Sequence, residues 1–380
     1  MTRWGNMFLY VGNKNLFGEG GISIFRYIEN EGTLEFLGTR HTDISAGFLA
    51  VDDKNAYLFC VNERLECNGV PGGQVLCFRI DSRTGNVKLL SRVNTHTVLP
   101  CYLHYISDKH RLLVCNHAKR DWILKVDLAA ERTLRSKKIY DDAALEVFDV
   151  TQDGIIKGPT SCWVAPHANN ASDNPHLHSI TYDTKNCQSL VCDTGSDLIY
   201  TLTLDDYGSP LLTSVVNPDG KASAPRYGVI HPRLPIAYFN SEKQNAVFVF
   251  KICESEIRQL QVIPALELLG SLDEPIEQSA IAVNHAGTVL YTLIRKTSGI
   301  SAFSIDGDGR LRFLQYYPVH YESPRALVIT PDDKNMFVAC STGKAVVHIK
   351  ISLDGSLSDQ TLEESSLISP SSMALFDPRH

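Results

Sequence analysis

The chain has 380 residues, 43% of them hydrophobic, and a formal net charge of −7. This composition sets aside a disordered chain, and the acidic balance, with no Lys/Arg run interleaved with aromatics, sets aside general nucleic-acid binding. No apolar run approaches the roughly 18 residues of a membrane span, and the opening "MTRWGNMFLYVGNKN" lacks the charged and long apolar regions of a signal peptide.

From the N-terminus, "MFLYVGN" reads as an apolar strand and "GGISIFRYIENEGTLEFLGTR" as two more. A unit then recurs. It is seen in "AGFLAVDDKNAYLFCVNE" (46–63), "CYLHYISDKHRLLVCNH" (101–117), "PHLHSITYDTKNCQSLVCDTG" (175–195), "PRYGVIHPRLPIAYFNSE" (225–242), "SAIAVNHAGTVLYTLIR" (279–295) and "PRALVITPDDKNMFVACST" (324–342). Each is an apolar strand, a polar turn and a second apolar strand. Stretches such as "GGQVLCFRIDSRTGNVKLLSRV" and "SGISAFSIDGDGRLRFLQYY" add a third strand, a turn with Asp and Gly, and a more polar fourth. The spacing is about 46 to 53 residues with one longer step, the period of a β-propeller with four-stranded blades.

The longer step is read as a loop insertion at about 142–173, from the Pro, Gly, Asn and Asp content of "DDAALEVFDVTQDGIIKGPTSCWVAPHANNASDN". At the C-terminus, "SPSSMALFDP" (369–378) is a first strand without partners, which the N-terminal strands supply. The expectation is one all-β domain over 1–380, a seven-bladed propeller whose ring closes by pairing its two ends and so leaves no open edge.

In such a blade, the entry to the first strand and the exit from the second reach the same mouth of the central channel. Counting back six residues from each turn gives the ring Gly47, Tyr102, His178, Arg226, Ser279, Arg325 and Ser372. The exits give Asn62 and Glu63, Asn116 and His117, Asp193, Glu242, and Arg295 with Lys296. His176 lies two residues before His178, whereas His231, His285 and His348 fall away from the mouth and read as structural.

Two arginines at a channel mouth suit a carboxylate or phosphate, because the guanidinium is a planar fork of donors. A histidine there can move a proton near neutral pH. The carboxylates fit as general bases, hydroxyl acceptors or partners of the arginines. The mouth therefore gathers His178, Arg226 and Glu242 with Glu63, His176, Arg325 and Asp193 as candidate site residues. The partner is an anionic small molecule, with no nucleic acid and no membrane, and the chain is a monomer or a small homo-oligomer. Glu63, Asn116, Asp193 and Glu242 carry oxygens of the kind calcium or magnesium takes, yet the expectation is no metal and no cofactor. No phosphate-cradling Gly-rich loop, Ser-His-Asp triad or G-x-S-x-G elbow is visible. The ten cysteines show no C-x-x-C pair and no zinc-like spacing with histidine, and read as buried free thiols of a cytoplasmic protein.

Several of these segments resemble the seven-bladed lactonase family, which includes propeller-type 6-phosphogluconolactonases and fungal 3-carboxy-cis,cis-muconate cycloisomerases. "FLYVGN" is similar to the family's opening, "NPHLHSITYDT" to P-H-x-H-S, "VCDTGSD" to D-x-G-x-D, "APRYGVIHP" to G-P-R-H-x-x-x-H-P, and "SPRALVITPDDKNMFVAC" to a later S-P-R segment. The resemblance implies site residues at Glu63, His176, His178, Arg226 and Glu242, and a catalytic role for His178, Arg226 and Glu242. Glu63, His176, Arg325 and Asp193 are then the expected substrate contacts. Tyr227 stands where the family has histidine, and Ser241 where it has asparagine. The activity it implies is a carboxylic-ester hydrolase opening an acidic sugar lactone such as 6-phosphogluconolactone. The alternatives are a cycloisomerase acting on a carboxy-muconate-type acid and a non-catalytic propeller that binds an anion.

Overall fold

The structure, a computed structural model, describes residues 7–128, 134–167, 174–220, 222–266 and 276–379. Seven four-stranded antiparallel sheets account for most of them. The closing blade joins the two ends of the chain, as expected: Pro370–Phe376 is its innermost strand, paired with Phe8–Asn13, followed by Gly21–Ile28 and Thr33–Arg40. The other innermost strands are Ala46–Asp52, Pro100–Ile106, Leu177–Asp183, Pro225–Ile230, Gln278–Val283 and Pro324–Ile329, each touching the next until the last meets Pro370–Phe376. We number the blades one to seven from the closing blade.

The strand next to the innermost is largely apolar and buried because it is covered on both faces by neighbouring blades. "FLYVGN", "YLFCVN", "QSLVCD", "IAYFNS" and "VLYTLI" are buried at every position. The core accordingly divides into seven clusters, one between each pair of adjacent blades. A recurring polar staple crosses these interfaces. Tyr10, Tyr238 and Tyr291 donate to the carbonyls of Gly85, Gly309 and Gly355, at 2.8, 2.9 and 2.7 Å, in the outer turn of the next blade. Tyr57 reaches Gln152 in the same way, at 2.7 Å. Gly309, at φ +85°, packs on Ile236, which leaves no room for a side chain.

The loop insertion expected at 142–173 is corrected. Ala144–Val150 and Ile156–Val164 are the outer two strands of the third blade, and residues 168–173 lie outside the described residues. The extra segment comes earlier, as a hairpin of Trp122–Leu128 with Leu134–Tyr140 between the second and third strands of that blade. The turn-forming residues misled the reading: Gly158 and Pro159 sit in an edge strand, where proline leaves no ladder bond unmade. None of the ten cysteines is bonded to another, and no helix among the described residues is long and apolar enough to cross a membrane.

Candidate active site

Two structural repeats build the mouth. First, the residue after each second strand donates its amide to the residue before the first strand. Lys14, Glu63, His117, Thr194, Glu242, Arg295 and Ser341 do this at 2.8–3.1 Å, so their side chains form one ring. Second, every innermost strand breaks register near its start. The positions skipped are Ser371, Gly47, Cys101, His178, Arg226 with Tyr227, Ser279 with Ala280, and Arg325. A bulge of this kind re-aims side chains, here toward the channel.

The bulge ring agrees with the sequence ring in five blades and corrects it by one residue in two. Cys101 takes the place of Tyr102, and Ser371 that of Ser372. The small members spend their polar atoms on neighbouring strands: Ser279 Oγ donates to the Pro324 carbonyl at 2.7 Å and Cys101 Sγ to that of Leu177 at 3.3 Å. Tyr102 instead belongs to an aromatic floor one layer deeper. It stacks on Phe48 at 3.9 Å and meets Tyr227 at 5.4 Å across the channel. The mouth is therefore a cup above this floor.

Arg226 is the largest fully buried side chain, 1% exposed. Its Nε lies 3.6 Å from Glu242 Oε1, too far for a hydrogen bond, and neither Nε nor Nη1 has a partner. Its guanidinium covers the Tyr227 ring at 4.5 Å. Glu242 is shared, accepting from Arg295 Nη2 at 2.7 Å. Burial would raise the Glu242 pKa, but Arg226, Arg295 and Arg120 outweigh it and hold the carboxyl at about 2. Burial, with Arg226 and Arg325 beside it, lowers Arg295 to about 10.

Three histidines form the adjoining quadrant. His178 Nδ1 is buried without a partner, and burial together with Arg226, His117 and Arg325 keeps its pKa well below the usual histidine value. His176 donates from Nδ1 to the His117 carbonyl at 2.9 Å and stacks on the His117 ring at 4.5 Å. His117 meets His178 edge-on at 5.7 Å, and burial with His176 nearby holds it at about 3. Glu63, across the mouth, pairs with Lys14. Gly47 lies against the Glu63 carboxylate, so a methyl group there would displace it. Arg325 is half-buried beside a cavity of about 550 Å³ that Lys14, Ser341 and Lys344 also line.

Asp193, expected as a substrate contact, is engaged with the protein's own backbone. Oδ1 accepts from the amides of His176, Gly195 and Ser196 at 2.7–3.0 Å and Oδ2 from Tyr200 at 3.3 Å, so the carboxylate clamps the turn that presents His176. Thr194 holds the equivalent ring position. His231 bonds the Gly287 carbonyl, His285 pairs with Asp333 and His348 bonds Asn335, all away from the mouth. No group of three or more His, Cys, Asp or Glu among the described residues has the arrangement to hold a metal.

Sequence reasoning overlooked Lys14 as a member of the site. The signal was present: "FLYVGNK" places Lys14 after its strand as "YLFCVNE" places Glu63. His117 and Arg295 were recognised as exits but not as neighbours of the reacting groups.

A closed propeller with a cationic cup defines the class: four cations, Lys14, Arg226, Arg295 and Arg325, surround the carboxylates of Glu63 and Glu242. The description "Lactonase, 7-bladed beta-propeller" matches residues 8–373, and the chain belongs to that family. It is 23% identical to a 6-phosphogluconolactonase of Formosa agariphila over 95% of this chain and 96% of that protein. It is 25% identical to a 6-phosphogluconolactonase of Erwinia tasmaniensis over 57% of this chain and 63% of that protein. Among solved structures, the periplasmic gluconolactonase of Pseudomonas aeruginosa superposes with a TM-score of 0.81 at 22% identity, covering 98% of this chain and 99% of that one, a likeness of fold.

Proposed function

We propose that this protein hydrolyses a sugar-acid lactone bearing a phosphate or carboxylate, with 6-phosphogluconolactone as the type. The observation that carries the reading is Arg226, a guanidinium sealed in the mouth with two donor nitrogens unmet, beside the unmet Nδ1 of His178. A buried charge with unmade hydrogen bonds is costly, and a carbonyl oxygen that becomes an oxyanion offsets that cost most in the transition state. The two relatives named as 6-phosphogluconolactonases support the same substrate class.

In this reading water attacks the lactone carbonyl and its proton passes to the neutral imidazole of His178. The charge on the carbonyl oxygen rests on Arg226. The ring C–O bond then breaks, the alkoxide takes up a proton, and the open-chain hydroxy acid leaves. Glu242 is a positioning residue, because a carboxylate held at about 2 by two arginines is a poor base at neutral pH. Arg325 and Lys14 attract the anion. The oxyanion that develops beside Arg226 offsets a charge that depresses His178, so its basicity rises as the transition state forms. Burial and the neighbouring cations favour the neutral imidazole of His178 and the ionised form of Glu242, which favours hydrolysis over a lactonisation that starts from an enzyme acid.

The test is acid release from freshly made 6-phosphogluconolactone, followed at constant pH against the spontaneous rate. Enzyme-dependent release is expected, with kcat/KM flat from pH 6.5 to 8 because free His178 titrates well below 6.5. No excess over the spontaneous rate contradicts the activity, and an acid limb at or above 6.5 contradicts the role of His178.

A further inference from the structure

The hairpin of the third blade stands at the rim of the cup. A cavity of about 240 Å³ joins its Trp122, Lys138 and Tyr140 to His176 and Glu242. Arg120, at the base of the hairpin, and Lys243 line the same cavity. Lys138 Nζ sits 4.5 Å over the Trp122 ring, an arrangement that steadies a flexible ammonium without neutralising it. Glu242 is the one acid among the residues lining this cavity, and its charge is already shared by Arg226 and Arg295. A second observation points to a ligand. Asn174 also lines the cavity and is 2% exposed; its amide nitrogen donates to the Asp141 carbonyl at 2.9 Å, while its Oδ1 has no partner.

We propose that this rim is the subsite for the substrate's terminal phosphate monoester, held by Arg120, Lys138 and Lys243, with Asn174 Oδ1 accepting from a hydroxyl of the sugar chain. The inference rests on the lactonase reading of the adjoining site. It adds that the hairpin, which the described residues of the other six blades lack at this length, sets the preference for a dianionic tail. Three cations suit a phosphate monoester, whose charge near neutrality is close to −2, better than a neutral hydroxymethyl group. The substrate then spans the mouth, with its carbonyl over Arg226 and its tail under the hairpin.

The experiment compares wild type with the triple variant Arg120→Ala/Lys138→Ala/Lys243→Ala. It uses 6-phosphogluconolactone and glucono-δ-lactone as substrates, and titrates 6-phosphogluconate and gluconate for binding. The variant is expected to raise KM for the phosphorylated lactone at least about tenfold more than KM for the neutral one, with kcat for the phosphorylated lactone within about threefold. Equal effects on both lactones, or none, overturn the subsite. If wild type opens neither lactone, the lactonase reading fails, and binding decides the subsite separately. Phosphogluconate bound at least about tenfold more tightly than gluconate by wild type, with the difference lost in the variant, supports it. Equal affinities overturn it.

Discussion

The charges around Glu242 make a quantitative demand. Its pKa falls from 4.5 in an ordinary glutamate to about 2 in the fold. A group depressed in this way contributes stability in full above its unfolded pKa and loses it as the pH falls toward the folded value. The linkage is worth roughly 3 kcal/mol at pH 7. Glu242→Gln, which leaves Arg226 and Arg295 without their shared carboxylate, is expected to lower the unfolding free energy by about that amount at pH 7 and by less than half of it at pH 3. Urea unfolding at the two pH values checks this. A difference that is the same at both, or absent at pH 7, contradicts the electrostatic account. The individual residue types were legible in the sequence because His178 and Arg226 stand at equivalent places of successive repeats and Glu242 closes the second strand of the repeat that Arg226 opens. Their division of labour was not. Only the spatial meeting of Arg226, Arg295 and Glu242, from two different blades, separates a base from a carboxylate that holds arginines.

At the scale of strands and turns, the repeat was readable wherever strand, turn and strand are contiguous. It failed where the chain departs from that order. In the third blade the inserted hairpin, "WILKVDL" with "LRSKKIY", imitates an outer strand pair, so the true outer strands read as a loop in the sequence. The ring is the other place of error. Every innermost strand carries the bulge, so the count holds only where it starts from the same point of the turn; starting one residue late in the third and closing blades gives Tyr102 for Cys101 and Ser372 for Ser371. Lys14 was hidden because its blade is assembled from both ends of the chain. The staples between blades belong to this scale too. Tyr238→Phe removes a buried hydroxyl that donates to the Gly309 carbonyl and leaves that oxygen unmet, a loss of about 1–2 kcal/mol. Denaturant titration is expected to show this loss with kcat/KM unchanged, since the staple lies away from the mouth. An undiminished unfolding free energy contradicts the staple.

For the molecule as a whole, the ring concentrates positive charge where the surface at large is negative. A net charge of −7 is carried by a protein whose channel mouth gathers Lys14, Arg226, Arg295 and Arg325, with Arg120, Lys138 and Lys243 on the rim. Such a cup draws a small anion from solution and orients it as it enters. Family membership agrees with a lactonase-type propeller, and neither the cycloisomerase nor the binding-only alternative gains support from the relatives. Seven blades supply a rigid frame, and the bulge in each supplies one position at which chemistry can vary without disturbing the frame. Three of those positions, in adjacent or nearly adjacent blades, hold His178, Arg226 and Arg325.

The most direct measurement is the enzyme-dependent hydrolysis of 6-phosphogluconolactone by wild type and by Arg226→Ala, with circular dichroism and thermal unfolding to verify that the variant is folded. A folded variant whose kcat has dropped about 100- to 1,000-fold is the predicted result, the loss expected when a donor to a developing oxyanion is removed. A folded variant that opens the lactone at the wild-type rate would place the chemistry elsewhere and contradict the account.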